Sequence, residues 1–240
     1  MWWEGASTSL ATEDALRSSP LARDYDRKAE EYDWRGPEVV FGLTYAFTRP
    51  GESVLDLGIG TGLGSVLFHK AGLHVHGMDI SPEMLEACRE KGFAADLREH
   101  DLTVEPYPYN EASLDHAVCL GVLHLVGDLR PVFREVARIL RDNGFFAFVI
   151  ADCGSEEEDR SVVGPECRQS DSSAGMYRHA AEEIGGLLSD NGFVLVRSLA
   201  FPVPMDRERT QLLSAKAYVA RRETRIGPSC GSDGKSPRRT

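Results

Sequence analysis

The polar–apolar pattern of this chain changes period several times. Residues 14–34 and 37–48 place apolar side chains at helical spacing, which predicts two amphipathic helices. Short apolar runs at 53–57, 73–78, 93–97, 114–120, 144–151, 193–200 and 212–221 predict strands. Stretches at 62–71, 82–91, 128–141 and 177–191 predict helices between most of them. This alternation argues for a parallel sheet with helices on both faces. The last two strands are separated only by FPVPMDRERTQ. A parallel pair needs a longer crossover, so the final strand is expected to run antiparallel. The expected fold is α/β: a doubly wound, seven-stranded, mostly parallel sheet with an antiparallel last strand.

The first strand ends in the most informative segment, VLDLGIGTG, residues 54–62. Glycines at 58, 60 and 62 let the chain turn sharply and approach a ligand with its backbone. A dinucleotide fingerprint needs G-x-G-x-x-G, but the third position falls on Leu63 or Ser65 in the two possible registers. A P-loop needs Gly-Lys-Ser/Thr at its end, and none is present. Asp56, two residues ahead of Gly58, belongs to neither pattern. The second strand ends in Asp79, about 20 residues past the turn, where an acid commonly holds ribose hydroxyls. Its charge would reject a 2′-phosphate. Ser81, Pro82 and Glu83 then suit an N-cap, a first helical position and the positive end of a helix dipole.

Taken with these features, the chain resembles the class I S-adenosylmethionine-dependent methyltransferases, most closely those with small-molecule acceptors. VLDLGIGTG resembles their first motif, and GMDISPEMLEAC the second. His100-Asp101-Leu102 resembles the third, and SLDHAVCLGVLH (113–124) the fourth strand and its loop. PVFREVARILRDNGFFAFVI (131–150) resembles the helix, turn and fifth strand that come next in the family. The likeness runs from Tyr25 to Arg221. It implies a Rossmann-like methyltransferase fold, S-adenosyl-L-methionine as cofactor, and no metal.

The resemblance also assigns roles. Asp56 steadies the loop and approaches the cofactor's amino group, while Gly58, Gly60, Thr61 and Gly62 pack on its methionine and ribose. Asp79 holds the ribose. Ile80 and Met84 sandwich the adenine, or are plain core. Asp101 accepts from the adenine amino group, with Asp96 a rival, and Leu102 donates its N–H. Leu120 and Gly121 complete the rim. Tyr25 and Tyr32, seven apart on one helical face, form an aromatic wall over the sulfonium or simply dock the helix. His124 is the candidate base, with a structural histidine as the alternative. Asp152, Tyr177 and His179 are candidate acceptor-side residues.

Composition narrows the partners. The net charge is −11, and the tail from Arg221 carries six basic residues and two acids, a net +4, so residues 1–220 stand at −15. So acidic a body offers no footprint for phosphate backbones, so nucleic acid is excluded and a small-molecule acceptor expected. No run of 18 apolar residues exists, so no membrane span is expected. Five scattered cysteines without a CxxC argue for reduced thiols and a cytoplasmic setting. The expected organisation is a flexible N-terminus (1–20) and one methyltransferase domain (21–221) with a disordered tail (222–240). Within the domain lie lid helices (21–48) and an acceptor-side loop (152–176). Two functions of different class are compatible with these features: methyl transfer to a small molecule, or a catalytically silent S-adenosylmethionine-binding sensor or partner subunit. The pattern does not set an oligomeric state.

Overall fold

A computed structural model describes residues 21–152 and 177–223, with side chains from Asp24 onward. The flexible N-terminus (1–20), most of the acceptor-side loop (152–176) and nearly all of the tail (222–240) expected from the sequence lie outside the described residues. Two helices lead in: α1 (Leu21–Glu31) and α2 (Gly36–Thr44), the latter followed by a 3-10 turn at Tyr45–Phe47. Then come β1 (Ser53–Leu57), α3 (Val66–Lys70), β2 (His74–Asp79), α4 (Pro82–Glu90) and β3 (Ala94–Glu99). The second half holds β4 (His116–Cys119), α5 (Arg130–Ile139), β5 (Phe145–Ala151), α6 (Ala181–Asp190), β6 (Phe193–Pro204) and β7 (Leu212–Arg222).

The seven strands form one sheet in the order β3-β2-β1-β4-β5-β7-β6. Pairs among β1–β5 are parallel, and β7 runs antiparallel to both β5 and β6. Only the last strand is therefore reversed, as its short connection requires. Alternate strand residues feed two apolar layers. Leu55, Leu57 and Met78 join Phe133, Phe146 and Phe148 on the α5–α6 face. Val54, Val75 and Val118 join Phe68, Phe145 and Leu85 on the other. Burial on both faces explains why β5, and β4 after His116, read as unbroken apolar runs.

Several boundaries differ from expectation for local reasons. Helix α3 starts at Val66, not 62, because Gly58, Gly60 and Gly62 all adopt positive φ and the chain turns until Ser65. Strand β4 is shorter than 114–120. Asp115 bonds outward to Ser53 Oγ (2.8 Å) and Arg141 Nη1 (2.6 Å) instead. Residues 177–180 are extended, and His179 bridges Asp152 in parallel before α6 begins at Ala181. Strand β6 continues through Pro202 and Pro204. It lies at the sheet edge, where a missing proline N–H removes no ladder bond from a neighbour.

Candidate active site

β1 and β2 are adjacent and parallel, with Asp56 opposite Gly77 and Leu57 opposite Met78. Their C-terminal ends therefore open onto one rim, beside the switch point where strand order reverses between β1 and β4. The glycine turn is pinned there, since Gly58 N and Ile59 N both donate to Met78 O, at 2.8 and 3.0 Å. A side chain on each glycine would meet a different neighbour. At Gly58 a Cβ would lie 2.5 Å from Val122 Cγ2, and at Gly62 2.4 Å from Phe93 Cζ. At Gly60 it would project into open space. Gly58 and Gly62 thus serve packing, whereas Gly60 leaves an open cradle.

Asp79 closes one side of that cradle. Its Oδ2 accepts from Gly60 N at 2.8 Å and its Oδ1 from Ser81 N at 2.9 Å. These backbone bonds fix the carboxylate and occupy one lone pair on each oxygen, so both oxygens can still accept from vicinal hydroxyls. Asp56 sits deeper, almost wholly buried, and accepts from Ser65 Oγ. Burial pushes its carboxyl up to about 7, Ser65 opposes the shift, and neighbouring Asp79 adds to it. Burial also raises Asp79, against the backbone N–H bonds that favour its charge. Two carboxylates at adjacent strand ends make this rim electronegative and suited to a cationic, ribose-bearing ligand. The open cradle and the fixed carboxylate fit a cationic, ribose-bearing cofactor such as S-adenosylmethionine.

The other residues expected at the site lie on the neighbouring strand ends and loops. Ile80 and Met84 are half-buried beside Asp79, on the loop and first turn of α4. Asp101 lies just past β3, and its Oδ1 accepts from Thr103 N and Oγ1, both at 2.8 Å. Leu102 is buried, with its carbonyl accepting from Tyr107 Oη at 2.8 Å. The strand register removes the rival Asp96, which lies opposite His76, three residues short of the rim, and pairs with Arg98 Nε at 2.7 Å. Leu120 is buried and Gly121 has φ +70°. Tyr32 is half-buried in the turn just after α1.

Helix α1 lies over this rim. Tyr25 Oη comes within 3.9 Å of where a Gly121 Cβ would stand, and Trp34 Cζ2 within 4.0 Å. Burial, then Asp79, Asp26 and Asp56, push the Tyr25 phenol up to about 12, so it stays a neutral donor. Thr61, buried beneath, donates to Asp26 Oδ1. Sequence reasoning missed Asp26, Trp34 and Ser65. The only sequence signal for Asp26 and Trp34 is their place in the same aromatic-rich segment as Tyr25 and Tyr32.

Asp152 directly follows β5, and its N–H donates to Ser214 O at 2.9 Å. Tyr177 N donates to His124 O at 2.8 Å, and the Tyr177 ring packs on Gly127. His179 is buried, with Nε2 3.1 Å from Val126 O and Nδ1 3.3 Å from Glu183 Oε2. It therefore ties the loop after β4 to α6. His124 is buried as well. Burial, with a smaller contribution from His179, depresses its imidazole to about 3. A group so depressed is neutral at physiological pH and takes up a proton poorly, which weighs toward a wall or anchoring role.

A separate hollow of about 610 Å³ lies among Ser53, His74, His76, Arg98, Tyr109 and Asp115. It opens at the N-terminal ends of the strands, opposite the glycine rim, and its arginines are already paired with Asp96 and Asp115. Among the described residues no group of three or more His, Cys, Asp or Glu side chains could hold a metal. Nor is any helix among them long and apolar enough to cross a membrane.

Comparison with known proteins agrees with this geometry. Residues 55–148 match the family described as "Methyltransferase domain". A malonyl-[acyl-carrier protein] O-methyltransferase of Serratia marcescens is 28% identical over 151 residues, 60% of this chain and 58% of that protein. A demethylmenaquinone methyltransferase of Tropheryma whipplei is 32% identical over 131 residues, 52% of this chain and 53% of that protein. The chain thus spans little more than half the length of these relatives. The magnesium protoporphyrin IX methyltransferase of Synechocystis, solved with bound S-adenosylhomocysteine, superposes with a TM-score of 0.63 at 21% identity. That match covers 89% of this chain and 98% of the other. The family match marks residues 55–148 as a methyltransferase domain, and the motifs and sheet order around it are similar to those of the class I S-adenosylmethionine-dependent methyltransferases.

Proposed function

We propose that this protein transfers a methyl group from S-adenosylmethionine to a small-molecule acceptor held between the glycine rim and the α1 lid. The observation that carries this reading is the convergence of Asp56, Asp79 and the open cradle at Gly60 beneath Tyr25 and Trp34. Bound there, the cofactor would supply a methyl group already activated on a sulfonium. The chain's residues then have three tasks. Asp79 and the turn orient the nucleoside, and Asp56 faces the cationic end. Tyr25 and Trp34 shield the site from water and offer aromatic faces to a cation. Positioning of this kind can supply about 7–11 kcal/mol of the barrier. His124, held neutral, lies on the loop after β4. Asp152, Tyr177 and His179 border the acceptor side.

The relatives' names point to dissimilar acceptors: a malonyl group on a carrier protein, a demethylmenaquinone and a magnesium porphyrin. The acidic body supports a small molecule over nucleic acid. The reading is tested by calorimetry with S-adenosylmethionine and S-adenosylhomocysteine, then by incubation with labelled cofactor and a metabolite extract. Binding of both and a labelled small product are expected. Failure to bind either, or tight binding of NAD, would overturn it. Tight binding with no methylated product would favour the silent binder.

A further inference from the structure

Helix α1 is tied down at both ends, by elements far apart in sequence. Near its start, Asp26 accepts from Thr61 of the glycine turn through Oδ1 and pairs through Oδ2 with Lys91, just past α4. Near its end, Glu31 Oε2 pairs with Arg207 Nη2 at 2.6 Å, and Asp33 Oδ2 with Arg209 Nη2 at 2.9 Å. Both arginines belong to the tip of the β6–β7 hairpin. The Trp34 ring adds an apolar contact to Phe201 of β6, with centroids 6.2 Å apart.

The hairpin tip is itself built to hold these arginines out. Asp206 Oδ1 accepts from Thr210 N at 2.7 Å and Gln211 N at 3.3 Å, and Oδ2 accepts from Thr210 Oγ1. Arg209 takes a left-handed φ of +57°, and its N–H donates to Asp206 O at 3.2 Å. Met205 N donates to Gln211 O at 2.8 Å and closes the turn. A non-glycine residue in that conformation is uncommon and persists where surrounding bonds impose it. Here they set Arg207 and Arg209 on either side of a fixed bend, each facing an acid of the α1 segment.

We infer that Arg207 and Arg209 are positioning residues, forming a latch that holds α1 closed across the rim. This rests on the reading of α1 as a lid over the cofactor. Both arginines are more than half exposed, so the latch is electrostatic, weak and screened by salt. It suits a lid that must open on each turnover. Asp26 is the complementary clasp. It touches the glycine turn directly, so lid closure and the shape of the cradle are coupled through Thr61.

The test uses the full chain, with hydrogen exchange of the α1 amides and calorimetric cofactor affinity measured side by side. Arg207→Ala/Arg209→Ala is expected to speed α1 exchange and weaken cofactor binding by roughly three- to tenfold, with α4 amides unchanged. Raising salt from about 0.05 to about 0.5 M should loosen α1 in the wild type and little in the double variant. The charge swap Glu31→Arg/Arg207→Glu should recover most of the affinity lost in Arg207→Glu alone. Unchanged α1 exchange in the double variant would overturn the latch, as would faster exchange with intact affinity in a wild type that binds cofactor. Faster exchange in a protein whose wild type binds no cofactor would leave the latch standing and remove the methyltransferase reading instead.

Discussion

Asp56 and Asp79 divide the work of the rim by depth. Asp79 is held by two backbone N–H bonds and, under the proposed function, would accept from a ribose. Each hydrogen bond to a charged group contributes about 1.5–3 kcal/mol. Asp79→Ala is therefore expected to weaken S-adenosylhomocysteine binding by about 100-fold or more, read by calorimetry. Asp56, raised to about 7, is half ionised near neutrality. A ligand ammonium facing it would favour the ionised form. Affinity should then rise with pH through 7, with proton release on binding, and Asp56→Asn should flatten the profile. A wild-type profile already flat between pH 6 and 8 would exclude that pairing. The glycines separate in the same way. Gly58→Ala collides with Val122 and should lower the melting temperature markedly, whereas Gly60→Ala meets nothing. Its left-handed strain costs only about 1–2 kcal/mol, and the larger loss should be in cofactor affinity. Equal stability losses with unchanged binding would remove Gly60 from the cradle.

Elements carry the site through connections that periodicity does not display. The β3–β4 segment has no helix of its own and is fastened to α5. Glu135, buried on that helix, accepts from Tyr107 N at 2.6 Å and from Arg138, whose guanidinium also donates to the carbonyls of Tyr107 and Tyr109. Breaking such a pair from one side leaves a cation without its anion. Glu135→Ala should therefore cost about 3 kcal/mol, measured as a shift in denaturant midpoint, with no change in the cofactor affinity of the folded protein. The strands themselves were legible, since β5 reads FFAFVIA and is buried at every position. The ends of α3 and α6 were not. Their first turns were displaced by positive-φ glycines and by the Asp152–His179 bridge, which depend on residues outside each helical pattern.

At the scale of the whole molecule, two buried groups set opposing responses to pH. His124 is depressed from 6.5 to about 3, so the stability of its neutral form is present above 6.5 and lost as pH falls toward 3. Asp56 is raised from 3.8 to about 7, so its contribution is present below 3.8 and lost as pH rises through 7. In the cofactor-free protein the two partly cancel between those limits. Asp56→Asn removes the compensating half, and its melting temperature should fall more steeply than the wild type's on acidification from pH 6.5. Parallel curves would show that Asp56 does not titrate as described.

The order of strands and helices, the reversal of the last strand and the character of the glycine turn were all determined by the sequence itself. Each rests on interactions spanning a few residues: hydrophobic period, connection length and the φ that glycine permits. Asp79 was legible for the same reason, because a strand end lies at a countable distance from the turn. What tertiary structure alone decided is which distant groups meet. Registry with His76 took Asp96 off the rim, and burial depresses the His124 imidazole so that it is neutral near physiological pH. The chain path brought Asp26 to Thr61 and the arginines of the β6–β7 tip to the acids of α1. Those pairs are separated by 35 or more positions. Local pattern carries no signal across such a span, because only the packed sheet determines which strand ends and turns share a rim.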